Sequence, residues 1–199
     1  MIHLYDFEYS GNAYKVRLLL SILGLEYEKI KVNLLEAEQK TPEYLKTVNI
    51  LGLVPVLQNG DTVIRDSQAI LVYLARLQGR EDWLPVEATE MAKVLQWTAL
   101  TELRIGPEAL RRHYFGFEPH LNVEVAQQKA NYILDLLNQY LSDREWLELE
   151  RPTIADLACF PSIALVKDAK LSLEPYPHLI AWVNRIKQLP GYITMPGIW

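Results

Sequence analysis

Two short polar stretches in this chain sit where chemistry could be done. "SGN", Ser10 to Asn12, comes just ahead of a helical run, and "DS", Asp66 and Ser67, opens another. The start of a helix leaves backbone N–H groups without intrahelical partners, and the helix dipole adds to their pull on negative charge. A hydroxyl there contributes one more donor, so Ser67 is suited to an anion. The same residue types cap helices and form turns, and both roles can hold at once. A third stretch, "LVPVLQNGDT" (53–62), places Pro55 between Val54 and Val56 in a run that otherwise reads as a strand. Proline gives no N–H to a sheet, which confines it to an edge or to a break in the ladder.

The elements that must carry these groups follow from the spacing of apolar residues. "IHLYDF" (2–7) reads as a strand. Val16, Leu19, Leu20 and Leu23 then mark one face of a helix that Gly24 stops, and "YEKIKVN" (27–33) alternates as a second strand. Strand, helix and strand within about thirty residues make a right-handed crossover with parallel strands. Thr41 and Pro42 supply a cap and a first helical position for a short helix. Asn59-Gly60, between "VPVLQ" and "DTVIRD", predicts a hairpin whose two central residues both take positive φ. "DSQAILVYLARLQG" predicts a helix from Ser67 to Gly79 with Ile70, Leu74 and Leu77 turned inward.

After the charged linker 79–87 only helical spacing is found. It runs over 88–112 through Met91, Val94, Leu95 and Trp97, and over 123–142 through Ile133, Leu136, Leu137 and Tyr140. Thr153, with Asp156 three residues on, opens a further helix with a capping-box arrangement. The last helix, Pro177 to Leu189, turns Leu179, Trp182, Val183 and Ile186 inward and is stopped by "PG" at 190–191. The expected organisation is an α/β domain over 1–78, the linker, and an all-helical domain over 88–199.

Composition narrows the partners. The 199 residues are 50% hydrophobic, ample for a packed core, and Lys+Arg 20 against Asp+Glu 25 gives a net charge of -5. That balance offers no general attraction to nucleic acid or to anionic lipid, and neither is expected as a partner. No secretory leader and no long apolar span is legible, so a soluble, cytoplasmic protein is expected. Cys159 is the single cysteine, which leaves no intramolecular disulfide, no CxxC pair and no cysteine-based metal site. It lies in the apolar run "IADLACFPSIAL" and is expected to be a small buried hydrophobe. His3, His113, His120 and His178 lack zinc-ligand spacing, and no metal is expected.

The stretches resemble, in order, the motifs of the cytosolic glutathione transferases. "SGNAYKVRLLL" is similar to that family's active-site turn and first helix, and "NILGLVPVL" to its N-P-x-G-x-V-P-x-L segment. "DSQAILVYL" resembles its E/Q-S-x-A-I-x-x-Y-L signature, and "PTIADLACF" the capping motif in the core of its second domain. Together the matches run from residue 2 to about 190. The resemblance implies a thioredoxin-like first domain that binds glutathione and a helical second domain that contributes the electrophile pocket. It implies an enzyme that conjugates the thiolate of reduced glutathione to hydrophobic electrophiles, working as a homodimer, with glutathione as co-substrate. Two alternatives stand beside it: a glutathione-dependent peroxidase or disulfide reductase, and a non-catalytic binding or scaffold protein on the same fold.

The resemblance also assigns residues. Pro55 is expected in a cis peptide bond that keeps the Val54 backbone out of the ladder, so that Val54 N–H and C=O can pair with the cysteinyl backbone of glutathione. Ser67 would hold the γ-glutamyl carboxylate, and Asp66, where relatives carry Glu or Gln, the γ-glutamyl ammonium. Ser10 is the leading candidate to stabilise the thiolate, with Asn12 and the phenols of Tyr5 and Tyr9 as rivals. Ile50 replaces a proline of the pattern. Leu53 stands where a lysine or glutamine commonly reaches the glycyl carboxylate, a task that passes to Gln39 and Lys40. Tyr9, Arg104, Arg111, Tyr114, Phe115 and Phe117 are the expected walls of the electrophile pocket.

Overall fold

The computed structural model describes residues 1–198. The chain divides into two compact units, one made of residues 1–79 together with 190–196 and the other of residues 80–189, to which Gly197 also belongs.

The first unit contains β1 (Ile2–Asp6), α1 (Gly11–Ile22), β2 (Tyr27–Lys31), α2 (Pro42–Thr47), β3 (Val56–Asn59), β4 (Thr62–Ile64) and α3 (Ser67–Leu77). Its sheet has the order β2-β1-β3-β4, with β1 and β2 parallel and the β1–β3 and β3–β4 pairs antiparallel. The crossover expected from the sequence is therefore present. The hairpin is present too, but its turn is displaced by one residue. Asn59 pairs with Thr62, so the two-residue loop is Gly60-Asp61, and of these only Gly60 has positive φ, at 59°. Glycine at the first central position is the placement of a type II′ turn, so Asn59 stays in the strand.

Burial on α1 exceeds the single face that periodicity indicated. Every residue from Ala13 to Leu20 is buried, including Lys15 and Arg17. On α3 the buried positions are Ser67, Ile70, Leu71, Leu74 and Ala75, while Leu77 is 45% exposed and is not a core residue.

The second unit is helical: α4 (Ala88–Thr98), α5 (Thr101–Ile105), α6 (Pro107–Tyr114), α7 (Val123–Tyr140), α8 (Ile154–Ala164) and α9 (Pro177–Lys187). Its centre is α8, buried along its whole length and packed against α4 and α9. Cys159 lies on it, 1% exposed, in the role expected for a small hydrophobe. The capping box forms as read: the Thr153 hydroxyl accepts from the backbone at the first turn, and Asp156 Oδ2 accepts from Thr153 N at 2.9 Å. The helical run expected over 88–112 is broken into α4, α5 and α6. Pro107 cannot donate to a preceding turn and serves as the first residue of α6. Gly106 before it lies against α7 so closely that a Cβ there would come within 2.8 Å of Ala130 N.

Candidate active site

The strand register brings the singled-out residues of the first unit to one end of the sheet. The β1–β3 ladder stops at Tyr5 opposite Val56, so the chain leaving β1 toward Ser10 and the chain approaching β3 through Val54 run alongside each other. β4 ends with Ile64 opposite Leu57, which starts α3 at that same end. Three backbone segments, 7–12, 52–55 and 65–68, thus converge without any of them belonging to a strand.

Ser10 is the N-cap of α1. Its hydroxyl accepts from Ala13 N at 3.2 Å, which leaves its own proton to donate outward. Its N–H is bound to Phe7 O at 2.9 Å. Asn12 stands in the first turn, and among the described residues its amide takes no hydrogen-bond partner. The rival phenols are placed differently. Tyr5 is packed edge-on against Tyr44, ring centroids 6.4 Å apart, in the small cluster of Val32, Tyr44 and Val54. Tyr9 is 39% exposed and leans on Phe7, 5.7 Å away.

Val54 precedes a cis bond to Pro55 and lies outside the ladder that begins at Val56. The residue before it is clamped: Leu53 O accepts from both Tyr44 Oη and Asn49 Nδ2, each at 3.0 Å. Burial, with Tyr5 and Glu38 nearby, pushes the Tyr44 phenol up to about 12, so it remains a donor near neutrality. Asn49, 1% exposed, also accepts from Leu51 N at 3.0 Å and so holds the whole 50–53 loop. Leu53 itself is 50% exposed.

The 38–40 turn lies against that loop. Lys40 Nζ donates to Leu51 O at 3.2 Å, and Gln39 O would be 2.7 Å from a Cβ at Gly52, whose φ is 59°. Gln39 and Lys40 are thereby brought beside the segment that leads into Val54. At α3, Asp66 is the N-cap, and its Oδ1 accepts from Gln68 N at 2.9 Å and Ala69 N at 3.1 Å. Two of the helix's open N–H groups are therefore filled by the protein's own carboxylate. The Ser67 hydroxyl, on a residue 6% exposed, takes no partner among the described residues.

Three contributors were not singled out by sequence reasoning. Tyr44 and Asn49 fix the peptide ahead of Val54, and Arg17 reaches from α1 to the end of β1, paired there with buried Asp6. A lysine-and-arginine pair inside the apolar stretch "AYKVRLLL" was the available signal for Arg17.

The electrophile-side candidates of the second unit have partners of their own. Arg111 is paired with Asp168 at 3.0 Å and lies over the Phe115 ring at 4.7 Å. Lys170 sits 3.9 Å above the Tyr114 ring. Arg104 and Phe117 are exposed, and Arg104 O accepts from Arg112 at 3.3 Å.

This mixed sheet and helical unit define a two-domain protein, and comparison with known families supplies its class. Residues 1–76 match the family model described as "Glutathione S-transferase, N-terminal domain", and residues 108–190 match "Glutathione S-transferase, C-terminal domain". The chain belongs to the cytosolic glutathione transferase family. It is 29% identical to glutathione S-transferase Z2 of Arabidopsis thaliana over 201 residues, covering 96% of this chain and 88% of that one. It is 30% identical to the disulfide-bond oxidoreductase YfcG of Escherichia coli over 202 residues, covering 96% and 92%. A glutathione S-transferase structure from Pseudomonas fluorescens superposes with a TM-score of 0.88 at 30% identity, covering 98% of both chains.

Proposed function

We propose that this chain is a glutathione S-transferase whose first domain ionises the thiol of glutathione and delivers it to a hydrophobic electrophile. The observation that carries this is the convergence of Ser10, Val54 and Ser67 at one sheet end. A hydroxyl with its proton to give, a backbone segment outside the ladder and a half-open helix tip are what a tripeptide thiol needs.

A free cysteine thiol titrates near pH 8.5, and each unit of depression takes about 1.4 kcal/mol of preferential interaction with the thiolate. The Ser10 hydroxyl and the positive end of α1 supply that, with Asn12 as a second donor. Val54 N–H and C=O pair with the cysteinyl backbone as an added strand would. The Ser67 hydroxyl and N–H take the γ-glutamyl carboxylate, Asp66 Oδ2 takes the ammonium, and Lys40 with Gln39 takes the glycyl carboxylate. The finer expectations of a cytoplasmic homodimer and of an electrophile wall drawn from Tyr9, Arg104, Arg111, Tyr114 and Phe115 belong to the same proposal. In it Arg111 acts through an ion pair it already has.

The test is ultraviolet titration of bound glutathione, which reads the thiolate directly, combined with turnover of a chloronitrobenzene. Ser10→Gly removes the hydroxyl while sparing most of the cap's contribution to the helix. It is expected to raise the thiol pKa by about one unit and to lower kcat/KM about tenfold. Full turnover in Ser10→Gly with loss in Asn12→Ala would move the role to the amide. Failure to bind millimolar glutathione would favour a scaffold role. Glutathione-dependent disulfide reduction is the second activity to assay, because the relative from Escherichia coli is named a disulfide-bond oxidoreductase and Asn12 has an amide without a partner among the described residues.

A further inference from the structure

The turn that carries Ser10 is held from behind by a buried arginine. Arg17 is 5% exposed and its partner Asp6 1%. Besides that ion pair, Arg17 Nη1 donates to Phe7 O at 3.3 Å and Nη2 to Glu8 O at 3.0 Å. Phe7 O is also the acceptor of Ser10 N–H, so one carbonyl joins the guanidinium to the capping residue. The other groups facing the pair are Lys29 Nζ, 3.6 Å from Asp6 Oδ2, the Tyr14 ring, 5.7 Å from the guanidinium, and the Tyr27 phenol, which the charges of Arg17 and Asp6 act on in opposite directions.

Burying an ion pair is costly, and well-packed apolar residues of similar volume often hold two elements together as well. What an apolar pair lacks is a rigid fork of donors. A guanidinium can satisfy one carboxylate and two successive carbonyls at once, whereas an ammonium presents its donors from a single point. We propose that Arg17 is a positioning residue for the thiol site, fixing the carbonyls of Phe7 and Glu8 and through them the direction of the Ser10 hydroxyl. This role rests on the transferase function proposed above. It assigns Arg17 to orientation and leaves thiol contact to Ser10 and Asn12.

The test compares the full-length chain with Arg17→Lys, which keeps the charge beside Asp6 and loses the fork. Amide exchange is expected to rise at least tenfold over residues 8–12 and to stay unchanged at Leu4 and Leu57 in the sheet. Affinity for S-methylglutathione, which carries no ionisable thiol, should remain within threefold. With reduced glutathione the bound thiol pKa should rise by about one unit and kcat should fall about tenfold at nearly constant KM. Unchanged exchange over 8–12, or an unchanged thiol pKa and kcat, overturns the role. So does a uniform rise in exchange across the sheet. Arg17→Gln is read in the same way should the lysine variant not fold, and failure of both to fold makes the pair a requirement of the domain and overturns the proposal. Absence of a thiolate band in the unaltered chain refutes the transferase reading instead, while the exchange measurement still decides whether Arg17 holds the turn.

Discussion

Ser10 and Asp66 each cap a helix, and each is proposed to hold glutathione as well, so single substitutions are ambiguous unless the two roles are separated. For Asp66 the structure provides the separation. Oδ1 is the cap, accepting from Gln68 N and Ala69 N, so Asp66→Ala should cost about 1 kcal/mol of stability by urea unfolding. Asp66→Asn retains an oxygen for the cap and loses the negative charge. We expect it to unfold within about 0.5 kcal/mol of the parent while glutathione binds about tenfold more weakly by calorimetry, since a charged acceptor is worth roughly twice a neutral one. Equal glutathione affinity would leave Asp66 as a cap alone. At this scale the sequence was informative wherever a residue type has one habitual place: proline before β3, serine at a helix head, Thr153 with Asp156 three residues on. Arg17, Tyr44 and Asn49 were opaque for the opposite reason. Their importance lies in which distant carbonyl they reach, and spacing along a chain does not encode that.

Elements were legible to the degree that their periodicity was uninterrupted. β1, β2, α3, α7 and α9 lie close to where apolar spacing put them, while 88–112 is not one helix: α4 ends at Thr98, and Gly106-Pro107 makes a second break between α5 and α6 in a periodicity that continues on both sides. The break is a packing device: a methyl at Gly106 would meet Ala130 N at 2.8 Å and Ala130 Cα at 2.9 Å, both backbone atoms of α7 that cannot move aside cheaply. Gly106→Ala should therefore destabilise by about 2 kcal/mol, lowering Tm by roughly 4 to 8 °C for a chain of this size. At α8 the relevant group is Asp156, fully buried, with Leu147 N at 3.1 Å, Trp182 Nε1 at 2.9 Å and Thr153 N at 2.9 Å donating to it. Burial outweighs these donors and pushes its carboxyl up to about 6, from an ordinary 3.8. Between those values the folded chain keeps a proton that the unfolded chain has released. This contribution is whole below about pH 4 and lost as pH rises through about 6, a change of about 3 kcal/mol. Asp156→Asn cannot titrate, and its amide hydrogens face donors. It should unfold at lower urea throughout, with a gap from the parent that narrows from pH 4 to pH 6.5. A gap that widens over that range would mean that the hydrogen bonds dominate.

At the scale of the whole chain the division of labour differs from the sequence's simple order of two domains. Residues 190–196 follow the last helix of the second unit yet belong to the first. They lie along α1: Ile193 O accepts from Tyr14 Oη at 2.7 Å, Gly191 O accepts from Ser21 Oγ at 2.7 Å, and Met195 is 3% exposed. Gly191, with φ at 80°, lies so close to the helix that a Cβ would be 2.9 Å from Ile22 Cα. "PG" at 190–191 announced a helix stop, and nothing in its composition announced where the chain would go next. The tail thus touches α1 near both ends, at Tyr14 one turn beyond the Ser10 cap of the proposed thiol-binding turn and at Ser21 near its C-terminus. Shortening the chain after Leu189 removes the bonds of Tyr14 and Ser21 to Ile193 O and Gly191 O, takes away Tyr192 beside the Tyr14 phenol and uncovers α1, for an expected loss of about 3 to 5 kcal/mol. The pairing can be isolated by a double-mutant cycle. Tyr14→Phe should cost about 1 kcal/mol in the full chain and almost nothing in the shortened one, because the acceptor is already gone. If Tyr14→Phe costs the same in both backgrounds, the tail does not act on α1 through the Tyr14 phenol, whose partners there are Ile193 O and Tyr192.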